Sequence, residues 1–341
     1  MEINNQVEPN ERQPEKPKLI ICGFWRRLIA FIIDVTILGI VGVGVGALFY
    51  DSLAELGGWG RLLGFGVALL YFGLLNSSIG NGQTIGKRIL KIQVVNNDKQ
   101  TISIPKSFLR FIILAIPYFL NGALIPPELL INTFTSLLLG VAVFFGGGAI
   151  VYLFIFNRET RQSLHDLIIG TYVVNIGSSE ELPVKPFWKG HLAVVSTLFV
   201  TVIVLIIFVI PKFTDKEPFS RLLIVQKQIQ KSGLVHVVTV TVGKSSGTNK
   251  SEEGKEKWET TFLSTNAVLK HRPSDDDVVV SKIASIILET YPEVIEKNSL
   301  VINTSYGYDI GIASAWKIHR VQHAPQEWKK LLMQSNLNKK Q

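Results

Sequence analysis

The chain is poor in charge and almost without cysteine. Of its 341 residues only 18% are Asp, Glu, Lys or Arg, while 47% are hydrophobic. That balance excludes an ordinary soluble protein and requires the apolar residues to be housed in long blocks. The single cysteine, Cys22, leaves every part of the chain without an internal disulfide. Residues 1–18 lack an apolar signal region; polar and rich in Pro, Glu and Asn, they are expected to form a disordered arm. With no signal region before it, Cys22 in "LIICGF" reads as a free interfacial thiol and not as a lipidation site. A phosphate loop is also excluded, because in "GNGQTIGKR" Asn81 stands where the first glycine is needed and Arg88 where Ser or Thr would hold magnesium.

Missing charge also marks the blocks. Residues 62–79, 129–156 and 190–210 carry no Asp, Glu, Lys or Arg, and 28–50 carries only Asp34. Each reaches about 18 residues, the length that crosses a hydrocarbon core of roughly 30 Å as a helix. A fifth block, 111–125, is shorter and contains Pro117, Asn121 and Gly122. Lys87, Arg88, Lys91, Lys99 and Lys106 follow the second block, and Arg158, Arg161, Lys185 and Lys189 follow the fourth. Cytoplasmic loops collect such cations, and these two share a side only if 111–125 also crosses, with Pro117 kinking or loosening its helix.

The expected architecture is an all-α transmembrane bundle of five spans followed by a soluble α+β domain. Its parts are the arm, a four-span domain over 19–176, a linker and fifth helix over 177–210, and an extracytoplasmic domain over 211–341. The N-terminus is expected on the cytoplasmic side. The net charge of +8 mostly reflects the cationic inner loops, so the lipid bilayer is the expected partner and nucleic acid is not.

Asp34 is the feature that needs a reason. It lies roughly 10 Å into the first span, where an ionised carboxylate costs a few kcal/mol, so it should face other helices, find a partner or take up a proton. Arg110 and Asn76 are the partners in reach. Arg27 shares its helix face but leans toward the N-terminus, which sends the guanidinium to the headgroups. Asp34 is then either a protonatable or cation-coordinating site, or a carboxylate that fixes how helices pack. Gly39, Gly42, Gly44 and Gly46 suit close helix approach under both readings.

Three segments, "GFWRRLIAFIIDVTIL", "NGQTIGKRILKIQVVN" and "RQSLHDLIIGTYVV", occur in this order around the blocks. Together they resemble the RDD family of bacterial membrane proteins, over about residues 20–176. The resemblance implies that Arg27 (with Arg26 the alternative register), Asp34 and Asp166 are the family's polar positions. It also implies transport, since some members look like cation/proton antiporters. Around these, Lys87 and Arg88 are expected at the membrane surface, contacting anionic lipid or capping helix ends. Residues 89–95 and 101–104 read as a hairpin turning over 96–98. Asp166 is expected to pair with Arg88 or Arg27, and His165 to be hydrogen-bonded or to relay protons.

The last 131 residues read as β-β-α-β-β. "GLVHVVTVTVG" is a strand, "KSSGTNKSEEGKEK" a polar mobile loop, and 275–290 a helix capped by Ser274 with Val279, Ile283, Ile286 and Ile287 on one face. A hairpin turning at Gly307–Tyr308 and a helix from Pro325 complete it. His319 and His323 do not aim at one metal from a strand and its exit, and spacing pairs no nucleophile with a base. No enzyme activity, metal or cofactor is expected. Two readings of function follow. One is a carrier exchanging a small solute or monovalent cation for protons, working as a homo-oligomer because five spans are few to enclose a pathway. The other is a scaffold or sensor whose external domain binds an envelope protein.

Overall fold

In a computed structural model the chain is described over residues 20–125, 129, 132–177, 186–209, 212, 217–251 and 254–338. The arm expected over 1–18 lies outside them. Among the described residues four helical stretches are long and apolar enough to cross a membrane: Phe24–Leu48, Tyr50–Leu75, Phe134–Phe156 and Gly190–Val209. The protein is therefore a multi-pass membrane protein with a lipid environment. The first stretch is α1 (Phe24–Leu48). The second starts earlier than the uncharged block suggests and is broken by glycines into α2 (Tyr50–Leu56), a 3-10 turn at Gly57–Trp59 and α3 (Gly60–Leu75). After α4 (Ile85–Ile89) and β1 (Ile92–Val95), α5 (Ile104–Leu120) runs through Pro117 for 17 residues and is not among the four. The third stretch comprises α6 (Thr133–Gly140), a π-helical segment Val141–Gly146 and α7 (Gly147–Phe156). α8 (Leu164–Ile169), β2 (Tyr172–Asn175) and α9 (Gly190–Val204) follow.

The chain clusters into two compact units. The first comprises the described residues within 1–34, 71–114 and 149–194. Within it β1 pairs antiparallel with β2, Ile92 opposite Asn175, and Ile21 bridges Val174. The hairpin expected from residues 89–104 is therefore replaced by a pairing between distant segments. The Asn96 side chain accepts from the amides of Asp98 and Gln100, which turns the chain tightly, and Ile104 already begins α5. Ile102 bridges Ser77 instead. Cys22, Ala30, Ile92, Val94, Ile102 and Val173 form one apolar cluster. Cys22 is free but wholly buried there, not interfacial, and burial pushes its thiol pKa up.

The second unit comprises residues 35–70, 115–148 and 195–341. Its sheet holds β3 (Val235–Ser251), β4 (Gly254–Leu269), β5 (Ser299–Asp309) and β6 (Ser314–His323) in that order. β3 and β4 stay paired out to Ser251 and Gly254, so the polar stretch expected as a mobile loop is mostly ladder. Ladder bonds use backbone groups, and polar side chains on both faces do not forbid them. β4 and β5 are parallel, joined through α11 (Asp276–Thr290), while α10 (Phe219–Lys231) packs on β3 and α12 (Pro325–Asn338) closes the chain. Asp275, not Ser274, caps α11 by accepting from the Asp277 amide. The buried face is Val280, Ile283, Ala284 and Ile287, one residue round from the expected stripe. The β5–β6 turn falls at 310–313, beyond Gly307, because Gly311 supplies the positive φ (78°) and donates its amide to the Asp309 carboxylate at 2.7 Å.

That turn is lodged among helices. A Cβ on Gly42 would meet Ala313, one on Gly46 would meet Tyr308, and one on Gly64 would meet the Ile310 carbonyl. The α1 glycines expected to bring helices together thus admit a loop from the sheet domain. Arg61 of α3 donates to Asp309 at 2.6 and 3.0 Å, Tyr118 donates to the Gly311 carbonyl at 2.8 Å, and Ala54 of α2 belongs to the sheet's own core.

Candidate functional site

The polar residues of the first unit separate into two constellations. Asp34 is nearly inaccessible (1% exposed), yet among the described residues no cation forms an ion pair with it. Its Oδ1 accepts from the Tyr71 hydroxyl at 2.7 Å and the Gly86 amide at 2.8 Å, and its Oδ2 accepts from the Thr84 hydroxyl at 2.5 Å. Hydroxyl and amide donors stabilise a buried carboxylate without a second charge to desolvate. Thr84 is placed by its role as the α4 N-cap, and Gly86 is needed because any Cβ would meet the Ala30 carbonyl and the Asp34 carboxyl carbon. The expected partners are engaged elsewhere. Asn76 donates to the Phe72 carbonyl and accepts from the Lys87 ammonium, while Arg110 goes to Asp166.

Asp166 is the charged centre. It sits on α8, whose end is set by Gly170 in the left-handed region (φ 70°), and it is wholly buried. Arg110 donates to its Oδ1 at 2.7 and 2.9 Å, as does Thr171 at 3.1 Å. Arg27 donates to its Oδ2 at 2.6 Å, and the Ser163 amide at 3.3 Å. Burial alone would raise this carboxyl's pKa, but Arg110 and Arg27 outweigh it and hold the group well below the usual carboxylate range.

Arg27 does not snorkel. It is buried, with its second terminal nitrogen on the Arg161 carbonyl and its guanidinium 5.3 Å from the Phe154 ring centre. An anion and a carbonyl inside replace the headgroup hydration that helix tilt alone would favour. Arg26 is exposed and reaches Asn175 at 3.4 Å; Arg88 is exposed and lies 3.5 Å from the Gly80 carbonyl. Neither touches Asp166.

Lys87 turns inward instead of lying at the surface. Burial pushes its pKa down to about 7, with Arg110 acting the same way and Asp34 opposing. His165 is also buried; burial pushes its pKa to about 3, so the imidazole stays neutral and does not titrate near pH 7. Its Nε2 stands 3.6 Å from Asp166, too far for a hydrogen bond, and its Nδ1 has no partner among the described residues.

A cavity of about 360 Å³ joins the two constellations. Arg27, Asp34, Asn76, Lys87, Arg110, Ser163 and His165 supply its polar wall, and Phe31, Phe72, Phe111, Leu114, Val151 and Phe154 are among the apolar residues of the rest. Three cations, Arg27, Arg110 and Lys87, face two carboxylates, Asp34 and Asp166. With Lys87 protonated the surplus is one positive charge. Sequence reasoning missed Tyr71 and Thr84; the signal available for Thr84 was a threonine directly before a short helix.

Residues 21–170 match the RDD family. The chain is 29% identical over 161 residues to the uncharacterized protein YckC of Bacillus subtilis (strain 168), an alignment covering 47% of this chain and 88% of that protein. No solved structure matches the chain. The family match takes in Arg27, Asp34, Lys87, Arg110 and Asp166 and stops before α9 and the β3–β6 sheet. A membrane domain whose first helix contributes an arginine and an aspartate, and whose second aspartate anchors the segment after α7, is what the matched region encodes: residues 21–170 of this chain are an RDD family domain.

Proposed function

We propose that the protein is a carrier that moves a small solute across the plasma membrane by way of the cavity beside Asp34. One observation carries this reading: a carboxylate inside a span borders a cavity together with a lysine whose pKa is about 7. Such a lysine gains and loses a proton at physiological pH, which is what coupling to protons requires. The surplus of cations favours a solute with a negative end over a monovalent cation. In this reading five helices cross, the N-terminus is cytoplasmic and the sheet domain is outside. The cation-rich segments after α3 and α7 support that orientation, and α5, at about 25 Å, is close to the length a crossing needs. A homo-oligomer would complete the pathway.

The second reading is a scaffold whose external domain binds an envelope protein. It is favoured by Asp34 and Asp166 already having donors on every oxygen, as in a packing element. Proteoliposomes holding a trapped pH dye and an imposed gradient of benzoate, sodium or potassium separate the two. The carrier reading expects proton movement coupled to one of these gradients in the native chain, at least tenfold slower in Lys87→Met. Background rates for all three ions in the native chain would leave the scaffold.

A further inference from the structure

We infer that the cavity is a side-opening site for an amphipathic monocarboxylate, a single acyl chain whose carboxylate lies against Lys87 and His165. This rests on the carrier reading only for what happens to the ligand after it binds. Phe31 of α1 and Val151 of α7 line the cavity while being 44% and 57% exposed, so its mouth lies between these helices on an apolar, lipid-facing surface. Charged groups, Arg27, Lys87 and Arg110 among them, line the same cavity. A ligand that fits has an apolar tail and an anionic tip, and it arrives from the bilayer.

The tip's chemistry follows from the donors left over. Asp166 takes Nε and one terminal nitrogen of Arg110 and one nitrogen of Arg27. The Lys87 ammonium, with three N–H groups, meets Asn76 as its acceptor among the described residues, and the buried His165 Nδ1 meets none. With its hydrogen on Nδ1, the neutral imidazole is a donor. Two donors match the two oxygens of a carboxylate. The single surplus positive charge matches a monoanion, whereas a phosphate dianion would leave the site negative. Asp34 does not oppose the ligand strongly, because its oxygens are turned to Tyr71, Thr84 and Gly86. The volume is at the lower end of the roughly 300–1,000 Å³ of ligand pockets, which suits one short chain and not the two of a phospholipid.

The test is binding of radiolabelled decanoate to the full chain in phosphatidylcholine nanodiscs, corrected for empty discs. The expected result is saturable binding that excess acetate, inorganic phosphate or phosphatidylglycerol does not displace. Lys87→Met should weaken it at least tenfold. Val151→Trp, which narrows the mouth and touches no charge, should weaken it with the thermal midpoint unchanged. The proposal is overturned by absent saturable binding in the native chain, by displacement with phosphate or phosphatidylglycerol, or by native affinity in both variants. Decanoate binding without flux in vesicles would remove the carrier and keep this site; flux of benzoate without decanoate binding would do the reverse.

Discussion

Replacing each buried aspartate by asparagine should give very different losses of stability. In Asp166→Asn the amide oxygen can keep the two bonds from Arg110, but the amide nitrogen then faces the Arg27 donor, now 2.6 Å away, and the Ser163 amide. Two buried guanidiniums lose the anion they share. Removing one partner of a buried ion pair costs about 3–5 kcal/mol, and the upper part of that range applies where two cations are stranded. In Asp34→Asn no countercharge is lost. The amide oxygen keeps Tyr71 and Gly86, the nitrogen donates to the Thr84 oxygen, and the cost is about 1 kcal/mol, one rearranged hydrogen bond. Denaturant unfolding in mild detergent, followed by tryptophan fluorescence, measures both. The two aspartates also differ in acid. The Asp166 pKa is depressed in the fold, so its contribution is complete above about 3.8 and is lost as pH falls through the lower folded value; the asparagine variant lacks that loss. An Asp34→Asn loss equal to or larger than that of Asp166→Asn would refute this account of the two constellations.

Three further outcomes are expected. Lys87 has a folded pKa of about 7 against an ordinary 10.5, so between these values the unfolded chain holds a proton the folded chain has shed. Native stability should therefore rise with pH there, by at most about 1.4 kcal/mol per unit, and denaturant midpoints at pH 7, 8 and 9 should be flatter in Lys87→Met. Gly86→Ala forces a methyl against the Ala30 carbonyl and should cost about 1–3 kcal/mol, read in the same assay. Gly64→Val should drive the 310–313 turn out of its seat, and limited proteolysis should then cut at the turn while the far-ultraviolet spectrum of the sheet is kept.

What was legible in the sequence was whatever has one local cause. Blocks about 20 residues long without charge mean helices, and the acidic first turn of α11 and the proline at the start of α12 mark those helices correctly. The seat of Asp34 was not legible, since Thr84 and Gly86 reach it by a fold-back of the loop after α3, which no spacing reveals. Arg27 was misplaced for a related reason. Helix geometry says where its stem starts, but the Asp166 and Arg161 acceptors that turn it inward come from more than 130 positions away. In the sheet domain the sequence points to a turn at Gly307, and the structure puts it at 310–313, where the Asp309 carboxylate accepts from the Gly311 amide.

The Arg61–Asp309 pair joins residues 248 positions apart. The glycine-lined faces of α1 and α3 are made early in synthesis, and their filling is made near the end. Until the last two strands close, these helices have a notch where lipid tails can insert, so a chain truncated before Asp309 would be an incomplete membrane domain as well as a shortened tail.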